Sequence, residues 1–159
     1  KLEKNKDYIF IEQIYFQNNN SNLVDYYFKN IFKGNEVNLI SLMIKLKNSS
    51  EISNPNNVKV VVDKSNNAIL FSRSSIPFNR SGFKPNFYKH VGVYAFRNTF
   101  LKEFAKYHQT PLEKAEMIEA LRVIENGKKI RMIEVFKEHV SIDTEEDLKI
   151  AESILNKKW

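Results

Sequence analysis

The chain has 159 residues, 42% hydrophobic and 28% charged, which is enough for one domain with a sizeable core and ordinary for a globular protein. It has no cysteine, which excludes disulfide frameworks and cysteine–zinc sites. No stretch resembles a signal peptide or is long and apolar enough to span a membrane, so a cytoplasmic location without a membrane partner is expected. The net charge of +6 would suit nucleic acid or an anionic small molecule, but the lysines alternate with Asp and Glu and form no dense basic block; the charge reads as dispersed surface charge, and no nucleic-acid partner is expected.

In chain order, "DYIFIEQIYF" (Asp7–Phe16) is β-branched and aromatic and predicts a strand. The polar loop "QNNNSN" (Gln17–Asn22) follows. "NLVDYYFKNIFKG" (Asn22–Gly34) predicts a helix, with Leu23, Tyr27 and Ile31 at fourfold spacing, Asn22 as N-cap and Gly34 at the stop. "EVNLISLMIKL" (Glu36–Leu46) predicts a second strand. "VKVVVD" and "AILFS" flank "KSNN" (Lys64–Asn67) and predict a hairpin over Val58–Ser72. "RSSIPFNRSGFKPNFY" (Arg73–Tyr88) is a long loop, and long ordered loops are often functional. "FYKHVGVYAF" (Phe87–Phe96) is a strand interrupted by His90 and Gly92.

A helix over Asn98–His108 comes next, with Leu101, Phe104 and Ala105 on one face. Another is expected unbroken over Thr110–Gly127, because Thr110 can cap, Pro111 suits the first helical position and Glu113 completes a capping box. "KIRMIEVF" (Lys129–Phe136) predicts a strand, and "SIDTEEDLKIAESIL" (Ser141–Leu155) a final helix with Thr144 and Asp147 as a capping pair. Strands alternating with helices predict an α/β fold with a mostly parallel sheet flanked by helices, into which the Val58–Ser72 hairpin is an antiparallel insertion. In such sheets ligands sit beyond the carboxyl ends of strands. Arg73, after the hairpin, and Asp143, before the last helix, occupy such places.

"FSRSSIP", "KHVGVYAFR", "PLEKAEMIEALRVIENGKKI" and "SIDTEEDL" occur in this order at compatible spacings, and "SNPNNVKVVVDKSNNAILFSR" (Ser53–Arg73) carries the hairpin. Together they resemble the C-terminal part of the 3-deoxy-manno-octulosonate cytidylyltransferases (CMP-Kdo synthetases), over roughly two-thirds of the chain. The resemblance implies a truncated nucleotide-diphospho-sugar transferase fold spanning residues 1–159 as a single domain. It also implies transfer of CMP from CTP to the sugar acid Kdo with pyrophosphate release, for lipopolysaccharide biosynthesis, with Mg²⁺ as cofactor and a homodimer as the assembly.

The resemblance also assigns residues. Asp143, in the family's "DT-x-ED" motif, is the magnesium ligand; taken alone it would be a helix-capping residue. His90, in "KH-x-G-x-Y", lines the sugar pocket; taken alone, a single histidine in an apolar strand is more often a satisfied core residue. Tyr94 shares its face by alternation, and Gly92 allows close backbone approach. Arg73 and Arg80 flank "SSIPFN" and belong to the sugar-acid site, where a guanidinium fork matches a carboxylate. Glu119 hydrogen-bonds sugar hydroxyls in the family; the plain alternative is an exposed glutamate paired with Arg122. Ala120 stands where the family has glutamine, which removes one polar contact.

Two departures concern the nucleotide. The family's Arg- and Lys-containing phosphate loop has no counterpart here, and "EQIYF" (Glu12–Phe16) stands where the family has an aspartate, its second magnesium ligand. The expectation is a chain with one magnesium ligand and most of a sugar pocket, inactive by itself. The alternatives are a non-catalytic sugar-acid-binding or dimerisation module and a decayed remnant.

Overall fold

The computed structural model describes residues 4–5, 8–12 and 37–136. In chain order they form β1 (Lys4–Asn5), β2 (Tyr8–Glu12), β3 (Leu39–Lys45), α1 (Ser49–Ser53), β4 (Lys59–Val62), β5 (Ala68–Ser72), β6 (Tyr88–Arg97), α2 (Asn98–Phe104), α3 (Pro111–Glu116), α4 (Ala120–Glu125) and β7 (Arg131–Val135). The expected loop at Gln17–Asn22, the helices at Asn22–Gly34 and Ser141–Leu155, and Asp143 lie outside the described residues.

The first five residues of β3 are buried. Alternation sends Leu39 and Met43 to one face, with Phe71, Phe96, Phe100 and Leu121, and Ile40 and Leu42 to the other, with Val93, Ala95 and Ile133. A strand apolar on both faces belongs inside a sheet. β3 accordingly lies between β6, antiparallel to it, and β7, parallel to it, in the order β1-β2-β6-β3-β7. The other edge of β6 is divided: β2 pairs with Val93–Arg97, and β4 with Tyr88 and Lys89.

The α/β class and the antiparallel β4–β5 hairpin are as expected. The sheet itself is mixed, however, and among the described strands β3–β7 is the only parallel pair. The hairpin and the long loop after it bring β6 back antiparallel to β3, a reversal that a count of alternating strands and helices does not register. The hairpin turn explains "KSNN". Asp63 Oδ1 accepts the N–H groups of Ser65 and Asn67, each at 2.8 Å, and Asn66 takes the left-handed conformation (φ 58°) that Asn tolerates.

The helix expected over Thr110–Gly127 is broken. Pro111 opens α3, and the Glu113 carboxylate accepts the Thr110 N–H at 3.3 Å, as the capping box requires. At Met117 the backbone turns left-handed (φ 55°, ψ 49°) and helix resumes only at Ala120. The break leaves Met117 73% exposed and buries Ile118 to 4%. The core face is therefore built from Ile118, Leu121 and Val123, with Ile124 packed against it and Met117 left out. Met117→Gly should be neutral or stabilising by up to about 1 kcal/mol in urea denaturation, because glycine adopts φ > 0 without strain. In a continuous helix the same change would cost about 1 kcal/mol.

Glu113, 3% exposed, is also half of an ion pair across that break. Arg122 Nε–H donates to Oε2 at 2.7 Å and Nη2 closes a second bond to Oε1. The guanidinium lies 5.1 Å over the Phe104 ring. Arg122 therefore turns to Glu113, and the pairing with Glu119 considered from the sequence does not form.

Candidate functional site

β6 departs from a regular strand at its centre. Ser41 of β3 faces Tyr94 and Leu42 faces Val91, so Gly92 and Val93 have no partner on β3. An isolated glycine in a strand pattern often marks such a bulge. Two extra residues preserve the parity of the strand, which leaves His90 and Tyr94 on one face. In a regular strand Cα atoms four residues apart are about 13 Å apart. Here the two rings meet at 5.4 Å between centroids.

His90 is partly buried, with the Phe71 ring against its own at 4.8 Å and Ser41 Oγ 2.8 Å from Nε2. Burial pushes its pKa down to about 4, so the ring is neutral at pH 7. The Tyr94 hydroxyl is pushed well up, first by burial and then by the Glu119 carboxylate, so it remains a donor. Glu119 itself is exposed, at the N-cap of α4. The structure thus brings His90 and Tyr94 together at one face of the sheet, with the exposed Glu119 carboxylate near enough for its charge to act on the phenol.

Arg73 follows β5 directly, two residues beyond Phe71. Its Nε donates to the Glu116 carbonyl at 2.9 Å and its Nη1 to the Pro55 carbonyl at 3.1 Å. A guanidinium has five N–H donors, so these two bonds aim the fork and leave donors for an anion. Arg80 is exposed in the loop that contains the cis Ile76–Pro77 peptide, and it makes no hydrogen bond or ion pair among the described residues. Asp143 cannot be placed, being outside those residues.

Three further residues shape the site and were not singled out from the sequence. Lys59, 0% exposed, donates from Nζ to the Asn54 carbonyl at 2.9 Å and to the Arg73 carbonyl. Burial lowers its pKa, and the Glu116 carboxylate offsets part of that effect. Glu116 accepts the Ser72 hydroxyl at 2.6 Å and the Arg73 N–H at 3.0 Å. Burial would raise the Glu116 carboxyl, but these hydrogen bonds and the charges of Arg73 and Lys59 outweigh it and hold it below the usual range. Lys59 and Glu116 thus clamp the backbone of Arg73 from two sides. Ser41, buried at 0% beneath His90, is the third. A lysine inside "VKVVV" and a serine inside "LISLMI" were the available signals: polar residues in apolar runs need buried partners.

Comparison with known proteins identifies the family and the fold. Residues 16–130 match a family described as cytidylyltransferase. The 3-deoxy-manno-octulosonate cytidylyltransferase of Fusobacterium nucleatum is 44% identical over 126 residues, covering 79% of this chain and 50% of that protein. The enzyme of the same name from Christiangramia forsetii is 46% identical, covering 76% and 49%. The chain spans about half the length of the curated relatives it matches. A solved CMP:2-keto-3-deoxy-manno-octonic acid synthetase, complexed with CTP, superposes with a TM-score of 0.79 at 29% identity, covering 87% of this chain and 57% of that one. A glucose-1-phosphate thymidylyltransferase structure from Bacillus anthracis, at 11% identity and a TM-score of 0.52, shares the fold alone. Among the described residues no helix is long and apolar enough to cross a membrane. By sequence and by fold, the chain belongs to the cytidylyltransferase family.

Proposed function

We propose that this chain carries the sugar-acid side of a CMP-Kdo synthetase, which transfers CMP from CTP to Kdo with release of pyrophosphate. The observation that carries the reading is the His90–Tyr94 pair at the bulge of β6, with the charge of Glu119 acting on the phenol and Arg73 held at the end of β5. A polyhydroxylated acid needs hydroxyl partners and an anion partner. The ring nitrogen, the phenol and the exposed carboxylate supply the first, and Arg73 with Arg80 the second. In the reaction a sugar hydroxyl oxygen bonds to the α-phosphorus of CTP as the bond to pyrophosphate breaks. The contribution of these residues is to bind and orient the sugar acid.

Magnesium takes carboxylate and phosphate oxygens, and when bound it neutralises charge on the transferring phosphate. Among the described residues no three His, Cys, Asp or Glu side chains form a metal cluster. Asp143 together with nucleotide phosphate oxygens matches the donor set of the ion and is its assigned seat. In this reading the triphosphate cradle belongs to the part of the relatives' length that this chain does not span. A cytoplasmic location and a homodimer, with Ile69 of the hairpin 53% exposed as a contact, complete the reading.

The test has two arms. With CTP, Kdo and Mg²⁺, the 159-residue chain alone should release pyrophosphate no faster than a no-protein control. In a ligand-observed NMR titration Kdo should still bind, at about millimolar affinity or roughly 4 kcal/mol, and the double change Arg73→Ala, His90→Ala should abolish the signal. A folded chain indifferent to Kdo at high concentration would return His90 to a core residue.

A further inference from the structure

The Ser41 hydroxyl has one proton and three polar neighbours. Its Oγ lies 2.8 Å from the Val93 carbonyl oxygen, 3.3 Å from the Val91 carbonyl oxygen and 2.8 Å from His90 Nε2. A carbonyl can only accept, and two oxygens 2.8 Å apart need a proton between them. The Ser41 proton is therefore committed to Val93, and Oγ turns a lone pair to His90. Nε2 must then carry the hydrogen. Ser41 is 0% exposed, so water does not compete for this geometry.

We infer that Ser41 is a positioning residue that holds His90 as its Nε2–H tautomer, so that Nδ1 presents a lone pair and reads a hydroxyl of the bound sugar acid rather than its carboxylate. Among the described residues Nδ1 makes no hydrogen bond. Burial keeps the ring neutral near pH 7, so the ring has a single proton and Ser41 accounts for it. A carboxylate has no proton to give Nδ1, whereas each sugar hydroxyl has one. The anion is thereby left to the arginines. The identity of the ligand rests on the sugar-acid reading above; the tautomer does not.

Long-range ¹H–¹⁵N correlation of the imidazoles in labelled protein, with His90→Gln for assignment, tests both halves. At neutral pH His90 should appear as the Nε2–H form. Ser41→Ala should give a tautomer mixture and weaken Kdo binding about fivefold, the effect of one ordinary hydrogen bond, and Ser41→Thr should restore both. Kdo should shift Nδ1, while acetate, a carboxylate without hydroxyls, should not. A wild-type ring that is Nδ1–H or charged, or an unchanged tautomer in folded Ser41→Ala, overturns the role of Ser41. Should Ser41→Ala not fold, the wild-type spectrum alone decides the tautomer. An Nε2–H ring whose Nδ1 stays put although Kdo binds overturns the hydroxyl readout alone, absence of any Kdo binding overturns the sugar-acid reading, and both leave the tautomer standing.

Discussion

Arg122→Ala should destabilise the protein by about 3–5 kcal/mol, the usual cost of removing one partner from a buried pair. Glu113 is 3% exposed and its carboxylate is held by the two bonds from Arg122 and by the Thr110 N–H. Those bonds keep its carboxyl below the usual range against the opposing effect of burial. Without the guanidinium, the charge is stranded or must take up a proton. Packing of the guanidinium over Phe104 is lost as well. Urea denaturation measures the effect, and a loss under about 1 kcal/mol would reduce the pair to a surface contact. The double change Arg122→Met, Glu113→Gln should recover much of the loss, because it removes the stranded charge along with its partner.

Acid should weaken the fold between pH 6.5 and 4 through His90. The ring takes up a proton near pH 6.5 when unfolded, but only near pH 4 when folded, because burial disfavours the charged form. Between those values the unfolded chain binds more protons, so stability falls as pH falls. The contribution is fully present above 6.5 and is lost going down to about 4. At about 1.4 kcal/mol per pH unit, a lowering from 6.5 to about 4 amounts to about 3.5 kcal/mol in total. In His90→Gln the pH dependence of urea stability across this window should flatten by that amount. An identical slope in the variant would show that other groups, carboxylates foremost, account for it.

Much of this was legible in the sequence where local chemistry and periodicity agree. The "KSNN" turn between two β-branched runs fixed the hairpin, and the Thr110-Pro111-x-Glu113 signature fixed the start of α3. The break at Met117 was not legible. "EKAEMIEALRVIE" holds no glycine or proline to mark a break; the left-handed residue accompanies burial of Ile118 and the hydrogen bonds that the Glu116 carboxylate accepts from Ser72 and Arg73. Tertiary contacts overrode propensity there. His90 and Tyr94 were placed on one face by alternation, but their closeness depends on a bulge whose only trace in the sequence is Gly92. Ser41, Lys59 and Glu116 were overlooked because each acts across the fold. Ser41 and His90 are 49 residues apart, and Ser72 and Glu116 are 44 apart.

Because β6 serves β3 on one edge and both β2 and β4 on the other, assembly of the sheet waits on it. In a chain synthesised from its N-terminus, β1 to β5 emerge before β6 has been made. Of those, the β4–β5 hairpin can close locally, but β3 cannot, since its partners β6 and β7 both come later. Until then "LISLMIK" is an apolar strand with two open edges, the kind of segment that recruits other chains. Nascent-chain aggregation is thus concentrated in the interval between β3 and β6, and a chaperone that covers β3 during that interval would act where the exposure is greatest.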